Sequence, residues 1–114
     1  MTWKIVYYES VSKNIPVKEF IDSLPRNNLA KVFNSFELLS EFGIRLGSPH
    51  VKKVVSTPLW ELRILGKASL RFFYIAIIGK TFLLLHGFAK KTQKTPNKEI
   101  KTALERLKDY KNRN

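Results

Sequence analysis

Residues 59–89 read LWELRILGKASLRFFYIAIIGKTFLLLHGFA, and this stretch decides the fold. It holds three apolar segments with only short breaks between them: Leu59–Leu65, Ser69–Ile78 and Thr81–Ala89. The breaks carry Gly66-Lys67 and Gly79-Lys80, and a pair with glycine first is typical of a two-residue hairpin turn. The sequence therefore predicts three strands in an antiparallel meander. The second and third strands are apolar on both faces, which predicts central strands with both faces covered.

The segments on either side of the meander have the spacing of one further strand and three helices. Their predicted bounds are Trp3–Glu9 for the strand, and Val17–Leu24, Arg26–Phe42 and Pro96–Lys111 for the helices. Thr95 is the expected N-cap of the last helix, with Pro96 at its first position. The connection Gly47–Pro58 is expected to be irregular. The prediction is one α+β domain spanning residues 1–114, with a small antiparallel sheet packed on helices in the order β-α-α-β-β-β-α.

The positive charge of the chain is concentrated in its second half. Residues 1–51 contain 6 basic and 5 acidic residues, a net charge of +1, whereas residues 52–114 contain 15 basic and 4 acidic residues, a net charge of +11. An asymmetry of this kind favours a nucleic acid or another acidic partner on one face. A generally basic, soluble surface is the alternative interpretation.

The chain has no cysteine and two histidines, which lie far apart in the sequence. Disulfides and thiolate metal sites are therefore excluded, and no metal-ligand spacing is evident. The N-terminal residues lack the apolar core of a signal peptide, and the longest apolar run, Phe72–Ile78, is too short to cross a bilayer. We therefore expect a cytoplasmic protein that uses no metal, no small-molecule cofactor and no membrane.

The first candidate site follows the last strand of the meander, in the sequence LLLHGFAKKTQKTP at Leu83–Pro96. A buried strand here runs directly into Lys90, Lys91 and Lys94, and the predicted helix begins just after them. Fixed lysines beside the partial positive charge of a helix N-terminus suit a polyanion. A solvated loop is the alternative interpretation of these lysines.

Two arginines on neighbouring predicted strands lie near the same hairpin. Side chains alternate along a strand, so Glu61 and Arg63 share one face of theirs, and Arg71 is the one charge in the next strand. A charge in an apolar strand is costly unless it is paired or faces solvent. Arg71 is therefore expected either to pair with Glu61 or to face a phosphate together with Arg63, because the planar guanidinium suits phosphate.

The remaining candidates are histidines and lysines outside this group. His86 lies in the middle of a strand, where a hydrogen-bonded core histidine is the expected role. Four basic residues in or beside the connections are candidate RNA contacts through the phosphate backbone: His50, Lys52, Lys53 and Lys67.

The strand and loop sequences together resemble a known family. LWELRI at Leu59–Ile64, LRFFY at Leu70–Tyr74 and LLHGFAKKTQKTPNKEI at Leu84–Ile100 resemble the RelE/HigB superfamily of toxin–antitoxin toxins, in particular its phage-associated HigB-like branch. The resemblance covers most of the chain, and LLHGFAKKTQKTP is its most specific part. It implies a RelE-like fold of the microbial RNase class.

The resemblance implies a ribosome-dependent mRNA endonuclease that inhibits translation. Such a toxin cuts mRNA on the ribosome, and a cognate antitoxin, usually a helix-turn-helix protein, neutralises it. The implied chemistry uses no metal: the 2′-hydroxyl attacks the adjacent 3′ phosphate and leaves a 2′,3′-cyclic phosphate. The reaction needs one group that takes the hydroxyl proton, one that stabilises the charged phosphorane and one that protonates the leaving 5′ oxygen.

The resemblance also assigns roles to the basic residues. Arg71 matches the family's central-strand arginine and would stabilise the phosphate, while Arg63 would contact it. Lys91 falls near the arginine that follows the family's last strand, with Lys90 and Lys94 beside it. Because crowding by other cations lowers the pKa of a lysine, one of these three is the expected proton carrier.

Two departures from the family leave the general base and acid unassigned. Glu61 stands about where the family has its first strand lysine, and Asn97 and its neighbours occupy the region of its late tyrosine.

An alternative function is a basic module that binds RNA without cutting it. A third interpretation is a degenerate toxin fold that acts through protein contacts made by the apolar, nearly neutral first half.

Overall fold

In the computed structural model, which describes residues 2–114, five strands form one sheet. The strands are β1 (Lys4–Tyr7), β2 (Val51–Lys53), β3 (Trp60–Ile64), β4 (Leu70–Ile77) and β5 (Thr81–Ala89). The helices are α1 (Pro16–Asp22), α2 (Arg26–Phe42) and α3 (Asn97–Arg113), and a 3₁₀ turn at Gly43–Arg45 follows α2. The predicted α+β fold is confirmed, and one short strand, β2, is added to the predicted order.

The strands lie in the order β1-β5-β4-β3-β2. Neighbouring pairs from β2 to β5 are antiparallel, whereas β1 pairs parallel with β5, so the sheet is mixed and mostly antiparallel. β4 and β5 are interior strands, as their two apolar faces predicted. This order brings the beginning of β4 beside the end of β5, since Leu70 lies opposite Ala89.

Helices cover both faces of the sheet. On one face, Val32, Phe36 and Leu39 of α2 pack with α1 against strand residues that include Phe72 and Leu84. On the other face, α3 packs through apolar side chains that include Ala103 and Leu107. The α1–α2 hairpin, formed by these two successive helices, therefore covers one face, and α3 covers the face that also bears the paired arginines. No helix within residues 2–114 is long and apolar enough to cross a membrane.

Three local predictions were wrong. The predicted irregular connection Gly47–Pro58 contains β2, whose Val51 lies opposite Leu62 in β3. Neither hairpin has a two-residue turn: Ile64 pairs with Leu70 and Ile77 pairs with Thr81, so the loops are longer. In the second loop both Gly79 and Lys80 have positive φ, 85° and 51°, so the turn does not depend on glycine alone.

The start of α3 also differs from the prediction. Pro96 is the N-cap residue, with ψ of 138°, and the helix begins at Asn97. No side chain caps this helix end, so the predicted cap at Thr95 is wrong. The reason is that the proline ring restrains φ but leaves ψ free to be extended, and an extended Pro96 delays the first helical residue by one position.

A bulge in β5 changes which side chains face α3. Phe73 lies opposite His86 but Tyr74 lies opposite Leu84, so Leu85 is an extra residue in β5. Leu85 packs in the core beneath α3, and His86 is hydrogen-bonded to α3 side chains. Two consecutive residues of β5 therefore point towards α3.

Candidate functional site

Arg63 and Arg71 are held by one buried carboxylate. The two arginines lie directly opposite each other on β3 and β4. The Nε atoms of Arg63 and Arg71 lie 3.3 Å and 3.2 Å from Oε2 of Glu61, which is 5% exposed. The predicted ion pair between Arg71 and Glu61 therefore forms, and Arg63 shares it. Because one negative charge faces two positive charges, the cluster keeps a net charge of +1.

Burial is the largest influence on the pKa of Arg71. Desolvation lowers the pKa of Arg71, the nearby Glu61 carboxylate raises it, and Arg63 lowers it. An arginine stays protonated throughout the physiological pH range, so burying Arg71 costs free energy but does not remove its charge. Arg71 Nη1 also donates to the carbonyl oxygen of Leu70 at 2.9 Å, which fixes the guanidinium at the start of β4.

Arg71 lines a basic cleft together with two of the three predicted lysines. This basic cleft is an open cavity of about 510 Å³ lined by Ser69, Arg71, Lys90, Lys91, Thr92 and Gln93. The backbone N–H of Lys90 donates to the carbonyl oxygen of Ser69 at 2.9 Å, which holds the two strand ends together. Three cationic side chains, and no acidic one among the described residues, therefore surround the cleft.

The other two predicted catalytic residues lie outside the lining of the basic cleft. Lys94 is exposed in the loop between β5 and α3, where its carbonyl oxygen accepts from Thr92 Oγ1 at 2.6 Å. Arg63 is one strand further from β5 and reaches the cleft only through Glu61 and Arg71. Both arginines nevertheless lie on the face opposite the α1–α2 hairpin, as a shared site requires.

The four predicted RNA contacts lie along the β2 side of the sheet and its loops. Lys52 is exposed and lies opposite Glu61, on the face that bears the arginines. Lys53 Nζ donates to the carbonyl oxygens of Thr57 and Leu59 and lies 5.5 Å from the ring centre of Trp60. Its ammonium group is therefore tied to its own hairpin.

His50 and Lys67 complete this group. The carbonyl oxygen of His50 accepts from the backbone N–H of Arg63 at 2.8 Å, so His50 continues the pairing of β2 with β3 by one residue. Lys67 is exposed in the loop between β3 and β4. Neither side chain lines the basic cleft.

His86 is a hydrogen-bonded histidine beneath α3, as expected. Its Nε2 lies 2.7 Å from Oε1 of Glu99, and its Nδ1 lies 3.0 Å from Nη1 of Arg106. A guanidinium can only donate, so Nδ1 accepts and Nε2 carries the hydrogen that is donated to Glu99. Burial lowers the pKa of His86, the hydrogen bond to Glu99 raises it, and Arg106 lowers it. The ring is therefore neutral near pH 7 and fixes the position of the Glu99 carboxylate.

Sequence reasoning missed Glu99 and Arg106 as members of this group. They are separated by two turns of α3, and Ala103 of the buried stripe lies between them. That spacing is the signal in the sequence, because it places both side chains beside the buried stripe. No group of three or more histidine, aspartate or glutamate side chains within residues 2–114 has the arrangement of a metal site.

Comparison with known protein families gives a match over most of the chain. The model of the family described as Phage derived protein Gp49-like (DUF891) matches residues 19–108, which include the basic cleft and the arginine pair. No curated protein matches the chain significantly. Because the family match covers most of the 114 residues, the chain belongs to the phage-derived Gp49-like family, which belongs with the RelE/HigB-type toxin families.

Proposed function

We propose that this chain is the toxin of a toxin–antitoxin pair and cuts mRNA on the ribosome. The observation that carries the proposal is the convergence of Arg71, Lys90 and Lys91 on one open cleft. Cations that converge from two strand ends suit the phosphodiester group of an extended RNA strand. Family membership supports the same function, since it indicates a RelE/HigB-like toxin. The phage-associated HigB-like branch is the proposed subgroup.

The proposed reaction is attack of the 2′-hydroxyl on the adjacent phosphate. The bond from phosphorus to the 2′ oxygen forms, the bond to the 5′ oxygen breaks, and a 2′,3′-cyclic phosphate remains. Arg71 stabilises the charge of the phosphorane, because its guanidinium is fixed by Glu61 and Leu70. Lys91 is the proposed carrier for the proton that leaves the 2′ oxygen and the proton that the 5′ oxygen takes up.

The other basic residues have supporting roles in this proposal. Lys90 lines the cleft beside Lys91, and Lys94 meets the RNA from the exposed loop. Arg63 acts on the phosphate through the carboxylate that it shares with Arg71. The proposed RNA contacts beyond the cleft are His50, Lys52, Lys53 and Lys67.

Gp49-like toxins typically pair with antitoxins. The proposed partner here is a helix-turn-helix protein encoded beside this chain, and the proposed compartment is the cytoplasm. The mRNA on the ribosome is the proposed substrate, and no small-molecule cofactor takes part.

Expression of the chain in bacteria tests this function. Growth is expected to stop, and primer extension on cellular mRNA is expected to show cuts at codon spacing. Arg71→Ala and Lys91→Ala are each expected to lower the cleavage rate by about 10²–10⁴-fold and to restore growth, because each removes a group that acts in the transition state. The measurements are colony survival and the intensity of the primer-extension stops.

Lys108→Ala is the matched control, since Lys108 is an exposed lysine near the far end of α3. This variant is expected to remain as toxic as the parent chain. Folding of every variant is checked by circular dichroism and thermal melting. Full toxicity of folded Arg71→Ala and Lys91→Ala would contradict the assignment of the site.

A second candidate function is RNA binding without cleavage. The observation that favours it is the ion pair that ties both arginines to Glu61, because a carboxylate beside Arg71 offsets part of the positive charge that would stabilise a phosphorane, while Lys90 and Lys91 still attract RNA. Intact message during growth arrest supports this second function over the first.

A further inference from the structure

A second cavity opens off the basic cleft and has a different chemistry. This side pocket measures about 450 Å³ and lies between the end of β5, α1 and the beginning of α3. It shares Lys91 and Thr92 with the lining of the basic cleft, so the two cavities are direct neighbours. Its lining includes an aromatic wall of Phe20 and the nearly buried Phe88, two lysines, Lys91 and Lys98, and one acidic residue, Glu99.

The aromatic wall is fixed by packing. The ring of Phe20 meets that of Phe72 edge-on, with ring centres 5.8 Å apart and an angle of 69° between planes. Phe88 stacks on the His86 ring, with centres 5.5 Å apart and planes at 18°. Gly87 permits this arrangement, because a Cβ there would lie 2.7 Å from both Phe20 and Phe72. Rigid apolar walls of this kind suit a flat ring that has left its stack.

The floor of the side pocket is an open strand edge. Within residues 2–114, pairing between β1 and β5 stops at Tyr7 and Leu84, although β5 continues to Ala89. The N–H of Lys90 points towards β4, where it donates to Ser69. Since backbone groups alternate along a strand, those of Gly87 and Ala89 point to the opposite edge, into the side pocket.

Glu99 supplies a fixed acceptor at the mouth of this pocket. Its Oε1 accepts from His86 Nε2, and Arg106 holds His86 from the other side while donating to the carbonyl oxygen of Leu85 at 2.9 Å. The side chain of Glu99 is 19% exposed, so the carboxylate still reaches solvent. A carboxylate can only accept, so it selects ligands that present N–H groups.

We infer that the side pocket binds a guanine base of the RNA that occupies the basic cleft, with Glu99 accepting from its Watson–Crick edge. Guanine presents two adjacent donors there, N1–H and N2–H₂, whereas adenine, uracil and cytosine each present one donor group beside at least one acceptor. The inference rests on the proposed function, in which the basic cleft holds mRNA, and extends it to base preference. Lys91 and Thr92 lie where the two cavities join, so the bound base belongs to a nucleotide next to the phosphate in the cleft.

Binding of 2′-O-methylated RNA pentamers to the full chain at low salt tests the inference. Methylation blocks the attacking hydroxyl, so the measurement reports binding alone. UUGUU is expected to bind about 10-fold more tightly than UUUUU, UUAUU and UUCUU, because a good pair of hydrogen bonds to a base edge discriminates by about this factor. Glu99→Gln is expected to reduce the ratio to about 2-fold, since the amide replaces one acceptor with a donor.

Two further variants separate positioning from charge. Glu99→Asp keeps the charge but withdraws the carboxylate, so the guanine preference is expected to fall as it does in Glu99→Gln. Glu105→Gln removes a charge from an exposed position of α3 and is expected to keep the preference. Equal binding of all four pentamers, or a guanine preference that survives in both Glu99 variants, would overturn the base site and leave the RNA-binding function intact. If none of the four pentamers bound, both the base site and RNA binding by the basic cleft would be overturned.

Discussion

At the scale of single residues, Glu61 decides how the arginines are presented. It is almost completely buried, and its one carboxylate lies within ion-pair distance of Arg63 and Arg71. Without it, two guanidinium groups would face each other across neighbouring strands with no compensating charge. The same carboxylate holds Arg71 against the basic cleft. Its position therefore affects both stability and the proposed chemistry.

Glu61→Gln is expected to lower the free energy of unfolding by about 2 kcal/mol, because it leaves two partly buried guanidinium groups without a carboxylate. The double variant Glu61→Gln/Arg63→Gln is expected to recover part of that loss, since one of the like charges is gone. Urea unfolding followed by circular dichroism measures both changes. The exposed pair of Lys18 and Asp22 is the control, and Asp22→Asn is expected to cause no measurable change. A fully stable Glu61→Gln would show that the cluster does not contribute.

At the scale of elements, the end of β5 connects the core to the two cavities. Gly87 faces α1 and leaves room for Phe20, while its neighbour Phe88 packs beneath α3. The loop that follows supplies Lys90 and Lys91. One strand end therefore sets the position of the aromatic wall and of the lysines together.

Gly87→Ala is expected to destabilise the chain by about 1–3 kcal/mol, because the added methyl group meets the Phe20 and Phe72 rings. The cause is packing, since the backbone of Gly87 is not in the left-handed region. Chemical denaturation measures the loss. Gly47→Ala is the control, because a Cβ there meets no atom within 4 Å, and it is expected to keep the parent's stability. Equal stability of the two variants would contradict a tight approach of α1 to β5.

The sequence predicted the long elements better than the short ones. The bounds of α2 and β5 were predicted correctly, because α2 repeats apolar residues at helical spacing and β5 is a long apolar run between Gly79-Lys80 and the lysines. β2 was missed, since a three-residue strand depends on pairing with β3 more than on its own residues. The bulge at Leu85 was missed for the same reason. An assumption of strict alternation along β5 places Leu85 and His86 on opposite faces, whereas both face α3. The contact of His86 with Glu99 was therefore not predicted.

At the scale of the whole molecule, the sheet separates the basic cleft from the helical hairpin. The sequence predicted that Arg63 and Arg71 lie on neighbouring strands near one hairpin, and that the lysines follow the last strand of the meander. The sequence predicted one site for Arg63 and the lysines, but Arg63 lies one strand further from β5 and outside the lining of the basic cleft. The sequence did not show that Lys53 would bind its own hairpin, since this contact follows from the shape of the loop.

Salt dependence of RNA binding tests how the charge is distributed. Only cations in contact with phosphates release counterions, so the three cations of the basic cleft contribute about −2 to the slope of log K against log salt concentration with single-stranded RNA, and each further phosphate contact adds about −0.7. Removal of one contact in Lys91→Gln is expected to make the slope shallower by about 0.7. Lys108→Gln lowers the net charge equally but leaves the cleft intact, and it is expected to keep the parent's slope. If both variants changed the slope to the same extent, the attraction would come from net charge, and the cleft would not be the place where the phosphates bind.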